Sequence, residues 1–380
     1  MKAIQMVDLK SQYEKIKQEV DQRIQGVLDT STFINGPEVK GFQEELETYL
    51  QVKHVIPCAN GTDALQVAMM ALGLKPGDEV ITTTFTFVAT AEVIALLGLV
   101  PVLVDCDESS FLISESAVRE AITPKTKAII PVHLFGQCAD MEEIMAIANE
   151  HNLFVIEDAA QSIGSSFHFK DGRSQQSGTI GNFGCTSFFP SKNLGCYGDG
   201  GALFTNDDVL AEKARMVVNH GMKVRYYHDE IGVNSRLDSI QAAVLSVKLK
   251  HLNEYGNARR AAAWHYDEAF KDLPEVITPT RVRNSCHVFH QYTLRIKGVD
   301  RNALQKHMMD HGVPAMIYYP VPLHQQKAYR DERYQDGDFP IAEQLASEVL
   351  SLPMHTELDQ EQLEKITDTL RAFVLENRYR

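Results

Sequence analysis

Short, continuous apolar runs that alternate with helical patterns constrain the fold of this chain more than any other feature. The runs are "EVITTTF" (Glu79 to Phe85), "VPVLVD" (Val100 to Asp105), "KAIIPVH" (Lys127 to His133), "LFVIED" (Leu153 to Asp158), "CTSFF" (Cys185 to Phe189) and "GALFT" (Gly201 to Thr205). Helix-compatible segments lie between several of them: "TDALQVAMMALGL", "ATAEVIALLGL" and "MEEIMAIANEH". Strands that are apolar throughout need cover on both faces, and intervening helices supply it, so the pattern predicts an α/β fold with a mainly parallel sheet. Such sheets bind ligands at the carboxyl ends of their strands.

From about Leu237 the character changes. "LDSIQAAVLSVKLKHLNEYGNARRAAAWHYDEAF" has helical spacing over a long span and predicts a connecting helix interrupted or bent near Gly256. After it come "HQYTLRI" as a strand, "RNALQKHMMDHG" as a helix and "VPAMIYYPVP" as a strand running into a proline-marked loop. At 380 residues and 44% hydrophobic the chain exceeds one typical domain. We expect a large domain over 1–250 and a smaller α+β domain over 251–380.

A formal net charge of -14 argues against nucleic acid as the main partner, but not against a small anion held by a few local arginines. Charges run through the first twenty residues, and no apolar run approaches a membrane span, so neither a targeting segment nor a membrane partner is expected. The six cysteines are scattered without a C-x-x-C pair or histidines at metal spacing. They read as reduced, mostly buried residues of a cytoplasmic protein with no metal site.

The stretch "TSFFPSKNLGCYGDGGA" (Thr186 to Ala202) places Lys192 between an apolar run and a glycine-dense loop. Apolar neighbours desolvate an amine, and glycines let backbone pass close to a bulky group, which is the setting of a Schiff-base lysine. Three other stretches gain meaning beside it. "CANGTDAL" opens a helix at Thr62 or Asp63 and makes an anion seat, although a plain Thr or Asp N-cap explains it as well. "TTTFTFVATAE" carries Phe85 and Phe87 past a strand end, on one side if alternation persists, either for stacking on a flat cofactor or for the core. "VIEDAAQSIG" runs a buried strand into Asp158, placed either to pair with a protonated ring nitrogen or to cap a helix. Ser187 and Lys192 flank Pro190, so a hydroxyl and an amine from one turn can reach a phosphate and an aldehyde carbon. Together these are the parts that pyridoxal phosphate requires. Neither a G-x-G-x-x-G nor a P-loop is present.

The order "NGTDAL", "TFVATAE", "EDAAQ", "SFFPSKNLGCYGDGGA" and "GVNSRLDSIQAA" resembles the DegT/DnrJ/EryC1/StrS family of sugar-nucleotide aminotransferases, with "DLKSQY", "INGPEV" and "YYPVPLH" extending the likeness over the chain. The resemblance implies a pyridoxal-phosphate fold of type I. It implies that Lys192 bonds the cofactor, Asp158 pairs with the pyridine nitrogen, and Gln161 lies near the 3-oxygen. It places Gly61, Thr62 and Ser187 at the phosphate and Phe87 on the ring. Asn234 is expected to reach the phosphate of a neighbouring subunit, which implies a homodimer with shared active sites.

Glutamate is the implied amino donor and a nucleotide-linked keto sugar the acceptor, for cell-surface polysaccharide. Arg225 and Arg236 are candidate cations for that substrate, with Arg225 equally readable as a solvated loop residue. Tyr318 and Tyr319 are candidates for the sugar pocket or, for one of them, the core; His220 is a weaker candidate. The motifs look most like the subgroup that aminates UDP-2-acetamido-2-deoxy-3-oxo-D-glucuronate, with Arg236 the expected partner of the uronate, although Tyr318 stands where that subgroup has histidine. The alternatives are amination of a dTDP-linked 3-oxo-6-deoxyhexose and, in another class, a non-catalytic pyridoxal-phosphate-binding regulator. The dehydratase variants of the superfamily lack the lysine that is present here.

Overall fold

The computed structural model describes residues 2–378. The chain begins with α1 (Leu9–Thr30) and α2 (Pro37–Leu50), then alternates β1 (His54–Cys58), α3 (Gly61–Ala71), β2 (Glu79–Thr83), α4 (Ala89–Leu96), β3 (Val100–Val104), α5 (Glu115–Ala121), β4 (Thr126–Ile130), α6 (Met141–His151) and β5 (Phe154–Asp158). A hairpin of β6 (Ser166–His168) and β7 (Ser174–Gln176) precedes β8 (Phe183–Ser187), β9 (Gly201–Thr205) and α7 (Asp208–Val217). A second hairpin, β10 (Met222–Val224) and β11 (Tyr227–His228), leads to α8 (Ser239–Leu249) and α9 (Leu252–Phe270). The remainder is β12 (Val276–Ile277), β13 (Tyr292–Ile296), α10 (Arg301–Asp310), α11 (Pro340–Glu348), β14 (Val349–Leu352) and α12 (Gln360–Asn377).

Seven strands form one sheet in the order β1-β9-β8-β5-β4-β2-β3. All are parallel except β9, which runs against both β1 and β8. Strand alternation divides its side chains between two cores. Val80, Ala128, Ile130, Ile156 and Leu203 face α3, α4 and α7. On the other face Ile81, Ile129 and Val155 pack on α5 and α6, while Ala202 and Phe204 pack on α2 and α8. The sheet is mainly parallel and covered on both sides, as its apolar runs predict. A smaller antiparallel sheet, β12-β13-β14, packs with α9, α10 and α12 around Tyr266, Phe270, Tyr292, Leu304, Ile366 and Leu370, and Ile4 joins this core from the other end of the chain.

Several boundaries differ from expectation. The long helix breaks at Lys250–His251, between α8 and α9, and Gly256 lies inside α9. Leu249 before the break and Leu252 after it both pack in the α2/α8 core, and α9 enters the C-terminal core from Ala262 onward. "VPAMIYYPVP" is not a strand: Met316 makes a single bridge to Ser351, and Pro320 and Pro322 cannot donate to a ladder. Strand β2 ends at Thr83, and Thr83 Oγ1 accepts the Phe85 N–H at 3.2 Å in the turn that follows. Alternation stops there, so Phe85 is buried while Phe87 is 52% exposed.

Successive residues on β5 point to opposite faces, and Glu157 shows what lies behind the site. It is fully buried and accepts the N–H groups of Gly178, Ile180 and Gly181 at 2.9, 2.6 and 2.7 Å. His133, whose Nδ1 accepts the Ala139 N–H at 3.1 Å, turns Nε2 to Glu157 at 2.9 Å. Four donors thus converge on one acceptor-only group. Glu157→Gln sets an amide donor among them and is expected to lower unfolding stability by about 3 kcal/mol, read as a fall in denaturant midpoint.

Candidate active site

The parallel strands bring their carboxyl ends to one edge, and the candidate residues collect there. Strand β1 ends at Cys58, and α3 starts three residues later with Asn60 as its N-cap, its Oδ1 accepting the Asp63 N–H at 2.8 Å. The cap is therefore Asn60 rather than Thr62 or Asp63. Gly61 and Thr62 sit inside the first turn, where helix N–H groups have no intrahelical acceptor and the dipole favours an anion. A Cβ on Gly61 would stand 2.7 Å from Ser187 Cβ, so only glycine lets this turn close on the end of β8. Opposite, a Cβ on Gly201 would meet the Asn60 carbonyl at 2.4 Å. Backbone from β1, β8 and β9 is thus packed to contact around a helix start and one serine hydroxyl, a cradle suited to phosphate.

Asp158 ends β5, buried, with its backbone N–H on Pro131 O and its carbonyl accepting from His133 N. Its Oδ2 accepts the Thr90 hydroxyl at 2.7 Å and its Oδ1 the Ala160 N–H at 3.2 Å. Burial raises its pKa above the usual carboxylate value, against the lowering effects of these two bonds and of Lys192 and His133.

Lys192 follows β8 in a turn closed by its N–H on Phe189 O at 2.8 Å. The two phenylalanines before it divide: Phe188 is buried against Phe42, and Phe189 is exposed. Burial of the amine pushes Lys192 down to about 8, and the Asp158 carboxylate opposes that fall. The adjacent Asn193 is buried and ties the turn to Val288 O at 3.0 Å.

Gln161 is buried with its amide oriented: Oε1 accepts the Phe135 N–H at 2.7 Å, and Nε2 donates to the Tyr319 hydroxyl at 3.1 Å. The Tyr319 ring stacks on Phe135 at 6.4 Å and lies 6.2 Å from the exposed Phe87. Lys192, Asp158, Gln161, Phe87 and Tyr319 are therefore drawn together by contacts or charge, and Gly61 meets Ser187 at the end of β8 beside β5. Tyr318 stands beside Tyr319, ring centroids 5.9 Å apart, half-buried.

The remaining candidates come from the segment between α7 and α8, where Ser235, flanked by Asn234 and Arg236, accepts the Ala59 N–H at 3.0 Å beside the start of α3. Arg225 is exposed in the turn between β10 and β11, its guanidinium 4.9 Å from the Tyr226 ring. Asn234 is exposed and pairs through its backbone with Asn219, and Arg236 is half-buried between Ser235 and Leu237. His220 closes the base of the hairpin, its carbonyl 2.8 Å from His228 Nδ1. Thr90 carries little signal in the sequence: a hydroxyl residue beside Glu92 in the first turn of a mainly apolar helix.

Known proteins resemble this chain along nearly its whole length. The DegT/DnrJ/EryC1/StrS aminotransferase family model matches residues 14–371. A UDP-2-acetamido-2-deoxy-3-oxo-D-glucuronate aminotransferase of Pseudomonas aeruginosa is 47% identical over 94% of this chain and 96% of its own. A pleiotropic regulatory protein of Geobacillus stearothermophilus is 48% identical over 97% and 98%. The crystal structure of S. venezuelae DesV in complex with a ketimine intermediate superposes with a TM-score of 0.94 at 38% identity, over 98% of this chain and 99% of that one. The chain belongs to the DegT/DnrJ/EryC1/StrS family, and it is an aminotransferase that works with pyridoxal phosphate.

Proposed function

We propose that the chain moves an amino group from L-glutamate to the 3-keto group of UDP-2-acetamido-2-deoxy-3-oxo-D-glucuronate, in the cytoplasm, for cell-surface polysaccharide. Aminotransfer to nucleotide-linked sugars follows from the family. The particular sugar rests on the likeness to the Pseudomonas enzyme. The observation that carries the reading is the placement of Lys192, in the turn after β8, within the field of the buried Asp158 that ends the parallel neighbour β5.

Pyridoxal phosphate supplies the aldehyde that carries the amino group and the ring that accepts an electron pair. Lys192 Nζ is the group that would hold that aldehyde carbon, and a fall from the usual 10.5 to about 8 leaves more of the amine neutral and nucleophilic. Once the amino donor has taken its place, Lys192 Nζ moves a proton between the donor's α-carbon and the cofactor's C4′. In the second half, with the keto sugar, it moves the proton in the reverse direction. Asp158 keeps the ring nitrogen protonated. Gly61, Thr62 and Ser187 would hold the phosphate, Gln161 would offer its amide near the 3-oxygen, and the Phe87 ring would cover the cofactor.

The remaining roles fit a homodimer in which Asn234 of the partner subunit reaches the phosphate. Exposure of Asn234 and of the Arg225 hairpin in a single chain supports this arrangement. Arg225 and Arg236 are the cations proposed for the nucleotide diphosphate and the uronate, since an overall charge of -14 leaves an anionic substrate dependent on local ones. Tyr318 borders the sugar.

The test is turnover of UDP-3-oxo-glucuronate and dTDP-3-oxo-6-deoxyhexose acceptors with L-glutamate. The reading expects preference for the uronate, lost in Arg236→Gln, and a fall of at least ~10²-fold in Lys192→Ala. Preference for the deoxyhexose overturns the sugar assignment, and wild-type turnover by Lys192→Ala overturns the mechanism. Gly61→Ala forces the helix start away from Ser187. Its half-saturation concentration for pyridoxal phosphate is expected to rise by roughly tenfold or more in an absorbance titration, with the far-UV circular dichroism unchanged.

A further inference from the structure

Asp158 performs its assigned role only as a carboxylate aimed at the ring nitrogen, and its surroundings work against the charge. Burial is the dominant influence on it. The charged or titratable groups in its field are Lys192 from the turn after β8, His133 after β4, Cys185 on β8 and Tyr319 from the C-terminal part. Among the described residues, the side chain that hydrogen-bonds the carboxylate is Thr90, 2.7 Å from Oδ2. The Ala160 N–H reaches Oδ1 at the longer 3.2 Å, and it belongs to the turn that Asp158 itself begins.

Thr90 comes from a separate element, the first turn of α4, and is fully buried. Its neighbours on that helix, Ala89, Ala91, Val93 and Ile94, are apolar and buried, so valine would satisfy the packing. Helical threonines commonly spend their hydroxyl on a carbonyl one turn back. Thr90 instead donates across 68 residues of sequence to the carboxylate. A hydroxyl that donates to a charged acceptor stabilises the charged form and fixes the rotation of the carboxylate.

We propose that Thr90 is a positioning residue for the reaction: its hydroxyl holds Asp158 Oδ2, sustaining the carboxylate charge and fixing the rotation of the carboxylate that serves the cofactor's ring nitrogen. The inference rests on the assignment of Asp158 to that nitrogen. It predicts that the hydroxyl matters and the methyl does not.

The test compares wild type, Thr90→Val, Thr90→Ser and Thr90→Ala holoenzymes. In Thr90→Val and Thr90→Ala the half-saturation concentration for pyridoxal phosphate rises roughly tenfold or more. The kcat of the glutamate half-reaction falls by a similar factor while KM for glutamate changes less than about twofold. The acid limb of the pH profile moves to higher pH, because the carboxylate loses a donor to its charged form. Thr90→Ser recovers each value to within about threefold. Wild-type affinity and acid limb in Thr90→Val overturn the inference, as does a Thr90→Ser variant as impaired as Thr90→Val. Should Thr90→Val fail to fold, Thr90→Ser against Thr90→Ala decides it by the same readouts. A wild type that binds the cofactor but does not react with glutamate fails the proposed donor, and cofactor affinity still decides the role of Thr90.

Discussion

The cost of desolvating one amine organises this molecule. Lys192 is carried into a setting where burial drives its pKa down to about 8 and the carboxylate of Asp158 limits the fall. An amine with neither effect is an ordinary surface lysine, and one fully paired with a carboxylate is held charged. The useful condition is the intermediate one, and it requires two chain segments to be placed relative to each other with little slack.

That placement comes from the sheet. β5 and β8 are parallel neighbours, paired from Ile156↔Phe183 to Asp158↔Cys185, so Asp158 and the turn that leads to Lys192 leave the same edge. β9 returns antiparallel and pairs Gly201 with both Cys58 and Ser187, which brings the start of α3 against the end of β8. The glycines at 61 and 201 are where backbone meets backbone without room for a Cβ. Behind the sheet, Glu157 anchors the 178–181 loop with three N–H bonds. A carboxylate that serves architecture and one proposed to serve chemistry therefore occupy adjacent positions on one strand, separated only by alternation.

Much of this is readable in the sequence where the signal is local. Val80, Ile129 and Ile156 lie in apolar runs that announce buried strands, and Lys192 announces itself by its glycine-rich surroundings. What fails is what depends on turns and distant partners. Thr83 ends β2 by capturing the Phe85 N–H, so two phenylalanines that alternation would place together separate into core and surface. Asn60 takes the cap because its side chain reaches Asp63, a choice among Asn, Thr and Asp that composition does not decide. Tyr319 meets Gln161 across 158 residues, and Thr90 meets Asp158 across 68. Neither meeting leaves a mark in local pattern. Ser235, between Asn234 and Arg236, likewise meets the Ala59 N–H across 176 residues.

The most direct measurement is the rate of covalent pyridoxal phosphate loading onto the apoprotein as a function of pH. A Lys192 amine depressed by burial predicts a rate that rises with pH and levels off above about 8, with no such reaction in Lys192→Ala. A rate that climbs without a break toward the 10.5 of an ordinary lysine, or one that survives in Lys192→Ala, would contradict the account.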